Sequence, residues 1–275
     1  MNNSLSKPFL ALFRGICDTV NHDGVEHAGY LSFLAILSFF PSLIFLITVL
    51  GWLGELKIGN DFLYNLLKNL PAEMSAGLKP RIDEILSGPS GEYLTIAFIS
   101  IIWTASSAVE GLRTILNKAY NIQFPPPYLW RRFLSIIEFF TIIFIIITAI
   151  IFLIVVPNIF RLIGAKMTIP ITIDYDFFYL RQLAMIIILI ISTTMLYYIL
   201  PSTKQNLKKT LPGAVLATIL WIIASKCFAY YLHHYGQINF IYGSIANIII
   251  SMIFFYIVSF IFILGAEFNN NYNNI

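Results

Sequence analysis

The sequence predicts an all-α, polytopic membrane protein with six transmembrane helices. Of its 275 residues, 58% are hydrophobic and only 11% are charged, whereas a typical soluble domain carries about 25% charged residues. The mean hydropathy is +0.80, and the apolar residues come in long uncharged runs. Runs such as 142–156 show no alternation of polar and apolar residues, which favours helices over the strands of a membrane barrel.

Each predicted span is an uncharged stretch close to the roughly 20 residues that a helix needs to cross a bilayer. We delimited the stretches by their flanking charged or histidine residues. The fifth lies between Lys209 and Lys226 and continues to Leu232, so that Lys226 must snorkel or lie near a helix end. The other five predicted spans are 30–52, 93–109, 139–160, 182–200 and 241–265.

The basic residues of the loops predict the orientation. With the N-terminus inside, the inner loops are 110–138 and 204–209, and the second has three lysines in six residues. The first outer loop, 53–92, has four basic but six acidic residues. The other outer loops are 161–181 and 233–240. Because basic residues are enriched in cytoplasmic loops, we expect both termini to be cytoplasmic.

We interpret 1–275 as a single integral membrane domain. It comprises a cytoplasmic N-terminal segment, 1–27, an outer helical cap, 53–92, and a cytoplasmic tail, 268–275. No cleavable signal pattern precedes the first span, which we expect to act as an uncleaved anchor. The tail is polar and is expected to fray.

Amphipathic segments lie outside the spans. Residues 8–17 predict an interfacial helix, with Phe9, Leu12, Phe13 and Ile16 on one stripe. In the first outer loop, 61–70 and 76–86 each have one apolar face. We therefore expect amphipathic interfacial helices in this loop, forming a cap on the outer membrane surface or at the mouth of the bundle.

Two further segments outside the spans have a predicted secondary structure. Residues 111–122 predict a helical extension of the second span, which the three prolines at 125–127 stop. Residues 168–180 are β-branched and aromatic, and we expect them to be extended.

Catalytic chemistry has little support in the residues. No GxSxG, HExxH, CxxC or P-loop motif is present. Asp18 and His22, and likewise Asp23 and His27, are spaced i, i+4 and could pair on a metal. Gly24 interrupts the helix that would align them, and real sites need three or four converging ligands. We expect a solvated juxtamembrane collar, with no catalytic residues, no metal and no cofactor.

The composition also excludes a nucleic-acid binder that relies on bulk positive charge, because the net charge is only +3. The two cysteines, Cys17 and Cys227, are too few and too isolated to predict a disulfide framework.

Polar features inside the first two spans are candidates for a path or gate. Pro41 predicts a kink, which could be a gate or a tolerated kink repaired by Ser38 or a neighbouring helix. Ser106 and Ser107 belong to a small-residue surface that could either pack a helix or line a polar path. Glu110 and Arg113, spaced i, i+3, are expected to pair.

The last two spans supply the other candidates. Pro212 suits a first helical turn, and Gly213 allows close packing. Asn247, a single amide in an apolar run, is expected to bond across helices. Glu267 is an ionisable group at the inner end, expected to pair with a basic residue of 204–209 or with Arg113. The remaining candidates are Tyr242, Gly243, Ser244 and Gly265.

Because each lies near a cytoplasmic helix end, Glu110, Arg113, Asn117 and Glu267 are predicted to lie at the same inner level of the bundle. Side chains that point to separate faces would argue against one shared site.

Several segments together resemble the YihY/BrkB family of bacterial inner-membrane proteins over nearly the whole chain. These segments are LSFLAILSFFPSL (31–43), WTASSAVEGLRTILNKAYNI (103–122), LPSTKQNLKKTLPGAVLATILW (200–221), FAYYL (228–232), YGSIA (242–246) and LGAEFN (264–269). The matching positions include Pro41, Asn117, Pro201, Pro212, Gly213, Tyr242, Gly243, Ser244, Gly265, Ala266 and Glu267. The resemblance implies six helices with cytoplasmic termini. The proline run at 125–127 departs from the family pattern.

The family has been labelled both ribonuclease BN and serum-resistance virulence factor. No acidic metal cluster, basic aromatic groove or soluble domain in the sequence supports the first label. Some relatives are linked to envelope lipid export, which suggests a lipid-handling transporter.

The leading hypothesis is therefore a membrane protein that transports a lipid or other amphiphile, or gates its passage, in envelope biogenesis. Its expected partners are membrane lipids. The alternative is a non-transporting scaffold that binds an envelope protein through 53–92, and an enzyme is the weakest class.

Overall fold

The computed structural model describes residues 6–54, 92–145, 173–234 and 244–274. Within these ranges the chain forms seven helices and no strand, which confirms the all-α class for the described part. The helices are α1 (Ser6–Asn21), α2 (Gly24–Gly54), α3 (Glu92–Ala119), α4 (128–145), α5 (Ile173–Ile199), α6 (Leu207–His234) and α7 (Ser244–Asn274).

Two of the described helices are long and apolar enough to cross a bilayer, over Leu207–Leu232 in α6 and Ile248–Asn274 in α7. A shorter apolar helix covers Met185–Ile199 in α5. Large apolar side chains cover the outside of both long helices; Ile219, for example, is 51% exposed. Six spans stay a prediction, because parts of the predicted spans lie outside the described residues. The predicted outer cap is also outside them, apart from the ends of 53–92.

The chain forms two compact units. One comprises Leu37–Ala108, and the other comprises Met1–Ile36 and Val109–Ile275. In the larger unit, α7 packs against α1 and α6, and α6 packs against α5. Its apolar core combines the beginning of α2, the end of α3 and the middle of α7. The buried members are Ala28, Leu31, Ile115 and Ile263, packed against Leu112, Tyr256 and Phe260.

The end of α3 shows why the predicted helical extension stops where it does. Asn121 has a left-handed backbone (φ 54°), and its N–H donates to the Lys118 carbonyl at 2.9 Å. The N–H of Ile122 donates to the Asn117 carbonyl at 2.8 Å. This pair of bonds is a Schellman cap with asparagine in the position that glycine usually takes. The extension is confirmed, and the cap ends it before the prolines at 125–127.

Helix α1 has two contrasting faces. Small residues four apart, Ala11, Gly15 and Thr19, are buried, and a Cβ on Gly15 would lie 3.3 Å from the Phe268 backbone of α7. The predicted apolar stripe is mostly on the outside, with Phe9 74% exposed. The predicted helix over 8–17 is confirmed, and it binds the bundle through its small face rather than its large apolar one.

Two predictions of irregular structure are wrong. The segment 268–275 was expected to fray, yet α7 continues to Asn274 because its asparagine amides bind backbone carbonyls of other helices. The segment 168–180 was expected to be extended, yet 173–180 is helical, because α5 begins at Ile173; 168–172 lies outside the described residues. Helical context here overrides the β-propensity of the residues.

Candidate functional site

Arg113 is the centre of a largely buried group of polar side chains, here called the Arg113 cluster: Glu110, Arg113, Arg131, Ser135 and Glu138. Arg113 is 2% exposed. Its guanidinium is paired with the Glu138 carboxylate, and its Nε lies 3.4 Å from Ser135 Oγ. The Ser135 hydroxyl in turn donates to Glu110 Oε2 at 2.9 Å.

The sequence spacing builds this cluster from two helices. Glu110 and Arg113 are one turn apart on α3, and their predicted pairing is confirmed by a distance of 3.4 Å between Arg113 Nε and Glu110 Oε2. Arg131, Ser135 and Glu138 recur at helical spacing and so share one face of α4. The Arg131 Nη1 lies 3.5 Å from Glu110 Oε1.

The charges of the Arg113 cluster balance, with two carboxylates and two guanidinium groups. Taking a charge out of water costs several kcal/mol, which a partner repays only in good geometry. Removing a single partner would therefore leave an uncompensated charge, so the cluster is a strong constraint on how α3 and α4 are placed.

The same face of α3 also binds the connection between α5 and α6. Arg113 Nη1 lies 3.3 Å from the Leu200 carbonyl oxygen. One turn further on, Asn117 Nδ2 donates to Ser202 Oγ at 2.9 Å, and the Ser202 N–H donates to Asn117 Oδ1 at 2.8 Å. Asn117 thus uses both ends of its amide to fix this connection.

Helices α6 and α7 cross at two glycines. A Cβ on Gly213 would lie 2.1 Å from the Gly265 carbonyl oxygen, and a Cβ on Gly265 would lie 2.4 Å from the Tyr197 hydroxyl. Buried Asn269 completes the crossing: its Oδ1 accepts from the Gly213 N–H at 2.6 Å, and its Nδ2 donates to the Thr210 carbonyl at 2.9 Å. Pro212 was predicted in a first helical turn, but α6 begins at Leu207 and Pro212 lies inside the helix. The Asn269 amide binds α6 on both sides of this residue, which has no N–H to donate.

Glu267 belongs to a different group of residues. It is 1% exposed, and its Oε1 lies 2.8 Å from His22 Nδ1 at the end of α1. The Asn271 Nδ2 donates to Asp18 Oδ2 at 2.8 Å and joins the same two helices. The prediction that Glu267 pairs with Arg113 or with a lysine of 204–209 is wrong, because α1 packs against this part of α7.

The predicted juxtamembrane collar is organised by a lysine. Lys118 Nζ lies 2.7 Å from Asp23 Oδ2 and 3.1 Å from His27 Nε2. The Lys118 ammonium lowers the pKa of exposed Asp23 through its hydrogen bond and its charge. Partial burial, with Lys118 second, lowers the pKa of His27. Among the described residues no three His, Cys, Asp or Glu side chains are grouped in a way that could hold a metal ion.

Three candidate residues, Pro41, Ser106 and Ser107, lie in the smaller unit. The hydroxyl groups of Ser106 and Ser107 donate to the Trp103 carbonyl, at 3.1 Å and 2.9 Å. Helix α2 continues through Pro41. Both hydroxyl groups thus bind the backbone of their own helix, and a packing surface and a polar path both stay open for this face.

Other candidates cannot be placed from the described residues. Tyr242 and Gly243 lie outside them, and of Ser244 and Asn247 only the backbone is described, in the first turn of α7.

The contacts divide the four residues that were predicted to lie at one level. Glu110, Arg113 and Asn117 follow one another on α3. Glu110 and Arg113 both contact α4, and Arg113 and Asn117 both bind the connection after α5. Glu267 contacts α1 instead. The structure therefore brings three of the four together and gives the fourth a separate partner.

Three residues that matter here were not recognised from the sequence. Glu138 served only to delimit a span, Asn269 was placed in a frayed tail, and His22 was weighed only as a metal ligand. A signal existed for Glu138, because it is seven residues from Arg131 and so lies on the same helical face. The partners of Asn269 and His22 are distant in sequence and gave no such signal.

Comparison with known proteins agrees with the resemblance. The family described as virulence factor BrkB matches residues 17–274. The ribonuclease-like protein YfkH of Bacillus subtilis is 30% identical over 258 residues, which is 90% of each chain. A UPF0761 membrane protein of Tolumonas auensis is 24% identical over 88% of this chain and 78% of its own. That of Vibrio campbellii is 23% identical over 94% and 81%.

No solved structure matches the chain. The family match covers nearly all of the sequence, and the two relatives matched over about four fifths of their own length are named membrane proteins. The chain therefore belongs to the BrkB family and is a membrane protein.

Proposed function

We propose that this protein crosses a bacterial inner membrane six times, with both termini in the cytoplasm, and that it moves a lipid or another amphiphile or gates its passage. The observation that carries the proposal is the Arg113 cluster. Ionisable groups buried among apolar helices are expensive and commonly mark a path or a gate. Here they join the ends of α3 and α4 with the connection that precedes α6.

In this proposal the cluster holds the cytoplasmic side closed. Opening requires that Arg113 give up contacts with Glu138 and with the Leu200 carbonyl. A substrate with an anionic headgroup offers the guanidinium a replacement partner, because arginine binds phosphate and carboxylate groups with the same planar fork. The apolar part of such a substrate can remain in the bilayer beside the exposed apolar faces of α6 and α7.

Catalysis is not part of the proposal. The name of the Bacillus subtilis relative contains the word ribonuclease, whereas most of the other relatives are named membrane proteins. The Arg113 cluster has balanced charges and no histidine or cysteine, which suits a structural gate better than phosphodiester chemistry.

Lipid movement in proteoliposomes tests the proposal, with leaflet-specific quenching of a labelled phospholipid as the readout. Glu138→Gln releases one partner of Arg113, and Pro41→Ala and Glu267→Gln test two of the residues predicted to form a path or gate. Glu26→Gln, an exposed carboxylate of α2, is the matched control. We expect wild type and the control to move lipid faster than empty liposomes, and Glu138→Gln to differ from both. Equal rates with and without protein, also in energised inverted vesicles, would contradict transport.

A second candidate function is a scaffold that binds an envelope protein through 53–92. The tight crossing of Gly213 and Gly265, and the serine hydroxyls that bond within α3, favour it because both are features of static packing. Photo-crosslinkers placed along 53–92 in cells test it. A single reproducible protein adduct would favour the scaffold, and adducts with lipid alone would favour the transporter.

A further inference from the structure

The carboxyl group of Glu267 is only half satisfied. Its Oε1 lies 2.8 Å from His22 Nδ1, whereas its Oε2 is buried and has no hydrogen-bond partner among the described residues. No lysine or arginine of the described chain pairs with it. A buried carboxylate usually has its lone pairs satisfied by donors or by a cation, so this oxygen needs an explanation.

The titratable groups that face Glu267 come from α1 with the residue after it and from the residue that follows α3. Helix α1 and its end contribute His22 and also Asp18, which accepts from Asn271 of α7 at 2.8 Å. Tyr120, just after α3, is the titratable neighbour on that side.

Two lysines lie near this end of α7, and neither pairs with Glu267. Lys209 of α6 is exposed, and its backbone carbonyl accepts from Asn273. From α1, Lys7 lies over the Tyr272 ring. The surroundings of Glu267 are thus acidic or neutral apart from the imidazole of His22.

His22 joins this carboxyl group to water. Its side chain is 32% exposed, against 1% for Glu267. The ring is fixed at the junction of α1 and α2, where the next residue, Asp23, has a left-handed backbone (φ 57°). Aspartate is among the residues that adopt this conformation most readily, so the turn holds His22 in place.

We propose that His22 and Glu267 form a proton-binding site, in which His22 passes a proton from cytoplasmic water to Glu267. The inference goes beyond the proposed function and holds whether or not the protein moves lipid. With Glu267 ionised, the carboxylate can only accept, so His22 Nδ1 carries its hydrogen and Nε2 has a lone pair.

The transfer balances with one proton. Water-borne H⁺ binds Nε2, and the Nδ1–H bond breaks as an O–H bond forms on Glu267. The products are a neutral carboxylic acid and a neutral imidazole that carries its hydrogen on Nε2. Because the two residues also join α1 to α7, proton uptake changes the contact between these helices from an N–H donor facing a carboxylate to an O–H donor facing an imidazole.

Infrared difference spectroscopy of the full chain in liposomes tests the site, since a protonated carboxyl group has a C=O band that a carboxylate lacks. Between about pH 8 and about pH 5, where histidine titrates, we expect such a band to appear in wild type and to be lost in Glu267→Gln. In His22→Asn the imidazole N–H no longer donates to the carboxylate. The band should therefore appear at a pH about one unit or more higher than in wild type.

His27→Asn is the matched control, because His27 lies five residues away at the same junction but contacts Lys118. We expect it to leave the pH midpoint of the band unchanged. A band that is absent from wild type, that persists in Glu267→Gln, or that moves equally in His22→Asn and His27→Asn would overturn the proposal. If Glu267→Gln fails to fold, the comparison of the two histidine variants decides the question alone.

Discussion

Gly213 and Gly265 cross so closely that a Cβ on Gly213 would lie 2.1 Å from the Gly265 carbonyl oxygen. The neighbouring atom belongs to the backbone, so no side-chain rotation can relieve the clash. The crossing fixes α6 against α7, and Asn269 secures it by accepting from the Gly213 N–H at 2.6 Å. Close approach, rather than flexibility, is the reason for glycine at both positions.

Gly213→Ala is accordingly expected to destabilise the protein. The helices would have to separate, and overpacking of this kind costs about 1–3 kcal/mol. Gly29→Ala is the matched control, because a Cβ there would meet nothing within 4 Å, and alanine in a helix gains about 0.5–1 kcal/mol over glycine. Unfolding midpoints in detergent measure both. Equal stability of the two variants would show that the crossing is looser than the distances indicate.

Comparison of particular residues shows what the sequence could predict. The Glu110–Arg113 pair and a helical extension over 111–122 follow from local spacing. The pair is confirmed, and the extension is confirmed as far as Ala119. The contact of His22 with Glu267 spans nearly the whole chain, so no local pattern contains it. The ordered end of α7 was missed for a related reason. Its asparagines are polar and suggest a disordered tail, but their amides bind carbonyls supplied by other helices.

Removing one partner from the Arg113 cluster is expected to be costly. Glu138→Gln leaves Arg113 with less compensating charge, and breaking a buried pair costs about 3–5 kcal/mol. The double variant Arg113→Met with Glu138→Leu keeps the Glu110–Arg131 pair and the overall charge balance. It should therefore lose less stability than the sum of the two single variants.

Denaturant titration in detergent provides this measurement. Asp23→Asn is a suitable control, because it removes an exposed carboxylate that also has a basic partner, Lys118, and asparagine tolerates the left-handed backbone there. We expect no measurable change for this control. A loss in Glu138→Gln no larger than that in Asp23→Asn would contradict the account of the cluster.

The lowered pKa of His27 predicts that the folded protein loses stability on mild acidification. Burial and the Lys118 charge lower the pKa of His27 below its usual 6.5, although Asp23 and Glu26 act in the opposite direction. As the pH falls, His27 is protonated first in the unfolded chain, because its pKa is higher there. The free energy of unfolding is therefore unaffected by this histidine above pH 6.5 and decreases as the pH falls from 6.5 through the lower pKa of the folded protein.

In His27→Gln this contribution is absent, so its melting temperature should fall less than that of wild type between about pH 7 and about pH 5. The pKa of Asp23 is also lowered. The stability that follows from it is lost only as the pH falls below its usual pKa of 3.8, which lies outside this pH range. Superimposable pH profiles for wild type and His27→Gln would show that the histidine is not desolvated in the folded protein.

The proposed orientation predicts which side of the membrane Cys17 faces. Cys17 and Cys227 are both free and exposed, but Cys227 lies in the apolar helix α6, so Cys227→Ser leaves one reporter thiol on α1. With a cytoplasmic N-terminus, a membrane-impermeant maleimide should label Cys17 in inverted vesicles and leave it unmodified in intact spheroplasts. A single cysteine introduced within 53–92, in a background without the two native ones, should show the opposite pattern. Labelling of Cys17 from the outside would reverse the predicted topology, and with it the assignment of the Arg113 cluster to the cytoplasmic side.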